Sequence, residues 1–357
     1  MEEKELILNN PDALQRADSL DMFGALYNLP EQCLKAWQMG MQCALPERRD
    51  YRNVVVTGLG GSAIGGDLLR VYAGDRMEIP VAVNRDYLLP LYVNRHTLLF
   101  AVSYSGNTEE TLSAYDEARD RGAAVVAVTT GGKLGERAAR DGVPQITVPP
   151  GIMPRSATGY LFLPMLAVLS RLGLLEDPAG EVEELASVLR GQREKLHPGV
   201  PAADNPAKQL ALKLYNRIPV IWGASATSEV AAQRWKGQVN ENAKAPAYWN
   251  VFPELNHNEV VGFEAPAELL RKLHIVILRD VQDHPRVKIR MDITRDIVEK
   301  AAGGVSEVEA VGDGTLARMY SLVYLGDYAS VYLAVLYGID PGPVKVIDHL
   351  KAELARR

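Results

Sequence analysis

The chain has 357 residues, 47% of them apolar and 24% charged, which is the composition of an ordinary globular protein with enough apolar surface for more than one core. A net charge of -6 removes the basic face that non-specific nucleic-acid binding requires. The acidic start Met1-Glu2-Glu3 lacks a signal peptide, no window holds about 18 consecutive apolar residues, and the only two cysteines, Cys33 and Cys43, form neither a disulfide framework nor a metal motif. These features predict a cytoplasmic protein with no membrane span.

In chain order, apolar residues at helical spacing between Asp18 and Cys43 predict two short helices broken near Pro30. Strands follow at Asn53 to Thr57, Val81 to Val83, Leu98 to Val102, Ala124 to Val128 and Gln145 to Val148. Helices are expected between them, after the Gly-rich turn, from Thr108 to Arg121 and from Lys133 to Arg140. Uniformly apolar strands alternating with amphipathic helices indicate a parallel sheet covered on both faces. A buried helix from Leu161 to Leu174 and a charged one from Glu181 to Lys195 come next. His197 to Pro206, rich in breakers, reads as a linker. Beyond it the pattern restarts, with strands at Pro219 to Gly223, His274 to Leu278 and Ser306 to Val311. Helices are expected at Ser228 to Gln238, Pro285 to Ala302, Leu316 to Tyr337 and Val344 to Leu354. The fold class expected is α/β, two tandem doubly wound domains with flanking helices, bounded at about 1–178 and 200–357.

Two strand-to-helix turns carry chemistry. The first runs Gly58-Leu59-Gly60-Gly61-Ser62, where glycines let backbone N–H groups approach an anion at a helix N-terminus. The second, Ser103-Tyr104-Ser105-Gly106-Asn107-Thr108, is dense in hydroxyls that suit the peripheral oxygens of a phosphate monoester. Both turns lie at the carboxyl ends of parallel strands, where open α/β sheets bind ligands. Alone, Gly58-x-Gly60-x-x-Ala63 with Asp86 after the second strand also approaches a dinucleotide fingerprint. A cap for the following helix would need only one or two of the hydroxyls in the second turn.

Paired in this way, the two turns resemble a sugar isomerase (SIS) domain over residues 50 to 150, and the second half resembles a more diverged copy of flavodoxin-like form. With Pro154-Arg155-Ser156-Ala157, Asn240-Glu241-Asn242-Ala243-Lys244 and Phe252-Pro253-Glu254-Leu255-Asn256-His257-Asn258-Glu259, the whole chain resembles the bifunctional phosphoglucose/phosphomannose isomerase family. The resemblance implies aldose–ketose isomerisation of a sugar 6-phosphate through a cis-enediol, with no metal and no cofactor. It assigns Glu241 as the base that moves a proton between C2 and C1, a task one carboxylate can perform in both directions. His257 would open the ring, histidine being the side-chain type suited to proton exchange near neutrality, and its flanking amides could fix the tautomer. Arg155 would stabilise developing negative charge, and Lys351, or its rival Lys345, would assist ring opening. Gly60, Gly61, Ser62, Ser103, Ser105 and Thr108 would hold the phosphate.

In the family His257 comes from a neighbouring subunit, which implies an obligate homodimer with active sites at its interface. Gly342 departs from the family's usual Thr in the Asp340-Pro341-Gly342-Pro343 turn, and this touches the mannose half of the activity. The remaining alternatives are an amino-sugar phosphate isomerase, which would need a glutaminase segment this chain lacks, and a SIS-domain sugar-phosphate regulator, which would need a basic DNA-reading helix. A dinucleotide-dependent oxidoreductase is a third class. No membrane or nucleic-acid partner is expected.

Overall fold

Five short apolar segments in the first half of the chain pair side by side: β1 (Asn53–Thr57), β2 (Val81–Asn84), β3 (Thr97–Val102), β4 (Ala124–Thr129) and β5 (Gln145–Thr147). The computed structural model describes every residue except Met1, Ala226, Ala355 and Arg357. All five strands are parallel, in the order β2-β1-β3-β4-β5. This is the flavodoxin-like doubly wound order. Every residue of β3 and β4 is buried, as expected for strands covered on both faces. On one face Val55, Leu99, Ala101 and Val125 pack with Leu112, Tyr115 and Leu134 from the helices Glu109–Asp120 and Gly132–Arg140. The helix Thr158–Arg171, buried along most of its length, packs against the helices Leu29–Gln42 and Gly61–Ala73.

A second sheet is formed by β6 (Ile218–Ala224), β7 (Tyr248–Phe252), β8 (Leu273–Arg279) and β9 (Val305–Glu309), again all parallel, in the order β7-β6-β8-β9. It repeats the first order with one strand fewer. Its core joins Val220, Trp222, Ile275 and Ile277 to Phe252, Leu255, Met291 and Val298. Trp222 is fully buried and packs edge-on against both Phe252 and Phe263.

Contacts divide the chain into two compact units. One holds Asn28–Arg190 and Val311–Ser321, the other Met1–Tyr27, Gly191–Ala310 and Leu322–Arg357. The helix Thr315–Leu336 is long and apolar enough to cross a membrane, yet 94% of its most apolar window is buried inside the protein.

The stretch expected to be a linker ends in a helix, Pro206–Leu214: Asn205 accepts from the Ala207 and Lys208 N–H groups and Pro206 occupies its first turn. Both residues, which look like breakers in the sequence, act as start signals. Asn10 and Pro11 open the helix Pro11–Ala17 in the same way. The strand β7 is not anticipated by periodicity, because Tyr248 is exposed and its neighbours are half-buried. The break at Pro30 falls where expected, between the helices Met22–Tyr27 and Leu29–Gln42, with Pro30 in the first turn of the second.

Candidate active site

In the first unit, β1 and β3 lie side by side, and the chain leaves them toward opposite edges of the sheet. That makes their carboxyl ends the topological switch point, and both predicted loops start there. Gly60 has φ +53 and ψ -126, a conformation open to glycine and strained for other residues. Gly61 comes so close to the neighbouring turn that a Cβ would stand 2.9 Å from the Pro154 carbonyl oxygen and 3.3 Å from Arg155 Cα. The second glycine is therefore what brings the start of the helix Gly61–Ala73 against the short 3-10 turn Pro154–Ser156. Ser62 and Arg155 are both buried beside this contact. Gly58 similarly approaches the Val102 carbonyl at the end of β3, where a Cβ would lie at 2.8 Å. The loop after β1, the loop after β3 and the Arg155 turn thus converge.

The hydroxyls of the second loop are not spent on capping. Thr108 precedes the helix Glu109–Asp120 but makes no side-chain cap. Its Oγ1 instead lies 2.9 Å from Ser103 Oγ, which also accepts from the Gly106 N–H at 3.1 Å. Ser103 is buried and shapes the loop, while Ser105 is exposed. Asn107 donates to the Ser105 carbonyl and accepts from the Lys133 N–H. A third loop, Thr129-Thr130-Gly131-Gly132 after β4, joins the group although the sequence reading does not single it out. A Cβ on Gly106, at φ +70, would fall on the Gly131 carbonyl, and the Thr130 hydroxyl donates to the Tyr104 carbonyl at 2.8 Å. Its signal is of the same kind, small polar residues and glycines at a strand end.

The remaining predicted residues lie in the other unit. Glu241 is half-buried on the last turn of the helix Thr227–Asn242. That helix is fixed against Leu322–Leu336 by buried polar bonds. Arg234 pairs with Asp327 through two hydrogen bonds of 3.0 and 2.7 Å, and Asn242 donates to Ser330 Oγ at 2.9 Å. Burial pushes the Asp327 carboxyl upward, and Arg234 opposes it. Breaking such a pair would leave a buried charge uncompensated, so the register of the helix is held firmly. Just beyond the helix, Lys244 adopts φ +53. Its ammonium donates to the carbonyls of Glu241, Asn242, Asp340 and Pro341, tying the Glu241 turn to the 340–341 turn. Partial burial would raise the Asp340 carboxyl. Hydrogen bonds from Ser19 and the Gly342 N–H, with the Lys244 charge, hold it below the usual range.

Glu241 and Lys244 line a pocket of about 550 Å³ together with Asp340 and Lys345. Lys351 stands further along the same helix, Lys345–Leu354, which buries none of its residues, and it is not part of the pocket wall. His257 ends the 3-10 turn Glu254–His257 and is exposed. The flanking amides do not hold its ring: Asn256 donates to Thr294 Oγ1 and Asn258 to Glu254. Of the other histidines, His274 is buried against Ser306, while His197 and His284 accept local backbone N–H groups, all structural roles. Asp86, the candidate ribose acid, accepts the neighbouring Tyr87 N–H instead. Among the described residues, no three His, Cys, Asp or Glu side chains cluster as a metal site would require. Both cysteines are free thiols.

A family model described as the bacterial phospho-glucose isomerase C-terminal SIS domain matches residues 203–354, and a SIS domain model matches residues 49–169. The bifunctional phosphoglucose/phosphomannose isomerase of Caldicellulosiruptor bescii is 54% identical over 335 residues, 94% of this chain and 99% of that protein. The chain belongs to the bifunctional phosphoglucose/phosphomannose isomerase family. The relative of the same description from Aquifex aeolicus is 41% identical over 86% of this chain and 91% of its own length. A solved structure of a hypothetical protein from Thermus thermophilus shares the fold, with a TM-score of 0.76 at 17% identity, over 97% of this chain and 94% of that one. Both parallel sheets are therefore SIS domains, and the family is one of sugar-phosphate isomerases.

Proposed function

We propose that the protein interconverts glucose 6-phosphate and fructose 6-phosphate, and mannose 6-phosphate and fructose 6-phosphate, through a cis-enediol and without a metal ion. The observation that carries this reading is the 54% identity to a bifunctional isomerase over 94% of the chain. The convergence of the Gly60–Ser62, Ser103–Thr108 and Arg155 segments at the switch point supports a phosphate site there. Exposed Ser105 and the backbone N–H groups of the loop would take the phosphate oxygens, while Ser103 and Thr108 brace the loop from behind. Glu241 would carry the proton between C2 and C1, its backbone held by Lys244 and the Asn242–Ser330 bond. His257 would move the proton between O1 and O5 that opens the ring. Arg155 would offset charge on the enediolate. Lys345, in the wall of the Glu241 pocket, would assist ring opening alongside or in place of Lys351.

The reading extends to a homodimer in which a partner's copy of His257 completes each site. Support comes from the helix Lys345–Leu354, whose Val346 and Leu350 are 84% and 59% exposed, an apolar face that a second copy would cover.

The test supplies purified protein with fructose 6-phosphate, detects glucose 6-phosphate and mannose 6-phosphate separately, and repeats the assay with a chelator. Formation of both products at unchanged rate is expected, and formation of neither overturns the reading. Glu241→Gln is expected to abolish turnover while retaining substrate binding by calorimetry. Loss of binding would make Glu241 a structural residue.

A further inference from the structure

The segment Glu254–Glu259 is irregular, yet almost every polar side chain in it has a defined partner. Glu254 accepts from Asn258 at 2.9 Å, and Asn256 donates to the buried Thr294 at 2.8 Å. Asn258 Oδ1 also caps the next turn through the Glu259 N–H. The strongest anchor is Glu259 itself. One carboxylate oxygen accepts from the indole N–H of Trp222 at 2.9 Å and the other from the side-chain amide of Asn250. Trp222 lies in β6 and Asn250 in β7, paired directly across the ladder. Glu259 therefore clamps the turn to two adjacent strands at once. A buried indole N–H needs an acceptor, and a carboxylate serves two donors better than any neutral side chain. His257, two residues earlier, is the polar side chain of this segment that makes no hydrogen bond among the described residues.

We infer that Glu259 is a positioning residue for His257, holding the 3-10 turn on β6 and β7 so that the imidazole is presented at a fixed place. The inference rests on the role assigned to His257 above and adds a residue to it. Glu259 touches no reacting atom. Its carboxylate sets where the His257 backbone lies, and a shift of about 1 Å in such a group is enough to lower a rate substantially.

Glu259→Gln removes half of the clamp. A glutamine can accept from Trp222 with its oxygen but then presents an NH2 group to Asn250. Asn250 cannot turn its amide over without loss, because its Oδ1 already accepts from the Val251 N–H at 2.8 Å. The experiment is a double-mutant cycle on the intact enzyme with Glu259→Gln, His257→Ala and both together. Glu259→Gln alone is expected to lower kcat about ten-fold with KM nearly unchanged. In the His257→Ala background the same substitution is expected to cost nothing further. An equal loss in both backgrounds, or no loss in either, overturns the proposal. A readout independent of turnover is the ring-proton NMR resonance of His257 across a pH titration. It should be single in the parent protein, and broadened or split in Glu259→Gln with far-UV circular dichroism unchanged. An unaltered His257 resonance in Glu259→Gln overturns the positioning claim even in an inactive protein. If His257→Ala alone keeps full activity while the Glu259→Gln resonance changes, the role given to His257 falls and the geometric claim stands.

Discussion

Gly342 stands where the resemblance leads one to expect a threonine, and the structure gives the glycine a steric reason. A Cβ there would stand 2.8 Å from both Cβ and Cγ of Leu20. Leu20 is 48% exposed, so its tip can rotate, but its Cβ is fixed to the backbone. The Gly342 N–H also donates to Asp340 at 2.9 Å, in the turn that Lys244 grips. A threonine therefore does not fit as the turn is built, and this chain offers no side-chain hydroxyl at this position. Gly342→Thr is expected to cost about 1–3 kcal/mol through overpacking, read by urea unfolding, without raising the ratio of mannose to glucose 6-phosphate formed from fructose 6-phosphate. A raised ratio at intact stability would restore the hydroxyl's importance. At this scale the sequence is informative about which residues to suspect and silent about their supports. Glu241 and His257 are proposed from their motifs. Lys244, Asn242 and Glu259 are visible only as neighbours in those motifs, because their partners lie from two to almost a hundred residues away and no spacing rule foretells them.

Elements buried on both faces are legible because unbroken apolar runs have few other uses. Of the edge strands, β2, β5 and β9 are also legible, and β7 is not. Tyr248–Phe252 carries a polar Asn250 in its centre, and the clamp to Glu259 explains why an asparagine stands in a strand. Asn205 and Pro206 look like a linker because capping residues and breakers are drawn from the same small set. The pair β8 and β9 also carries a titration that periodicity cannot reveal. His274 in β8 bonds Ser306 in β9 at 2.9 Å, and burial, then the charges of Lys213 and Arg217, lower its pKa to about 4. An unfolded histidine titrates near 6.5. Between these values the unfolded chain binds more protons, so this group's contribution is present above the upper value and lost as the pH falls. Asp283, just past β8, behaves oppositely. Burial, aided by the Asp280 carboxylate, raises it to about 6, so its contribution is present at low pH and lost as the pH rises through that value. The two slopes oppose each other between about pH 4 and 6. His274→Gln removes one of them. Relative to the parent, it should gain about 2 kcal/mol on acidification from pH 7 to pH 5, measured by urea unfolding at each pH. Parallel pH dependence in the two proteins would show that His274 is not buried neutral.

At the scale of the whole molecule, the alternation of strands and helices announces two parallel α/β domains. It cannot announce that Met1–Tyr27 and Leu322–Arg357 group with the second sheet. That grouping depends on packing between segments some three hundred residues apart, such as the Tyr324 hydroxyl on the Leu26 carbonyl. The proposed sharing of each active site between two subunits can be tested without a structure of the dimer. Glu241→Gln, inactive, and His257→Ala, with low residual activity, are prepared as separate proteins, mixed, and allowed to exchange subunits. If Glu241 of one subunit works with His257 of the other, a mixed dimer holds one intact site and one doubly altered site. Random exchange makes half the dimers mixed, so activity should return to about a quarter of the parent's, as follows from an isologous two-fold pair. If both residues serve the same site from one subunit, every site in the mixed dimer carries a defect and nothing returns. Exchange itself is verified by mass spectrometry with one partner isotope-labelled. A sedimentation result showing only monomer at assay concentration would end the shared-site reading. The exposed apolar face of Val346 and Leu350 would then need a different cover.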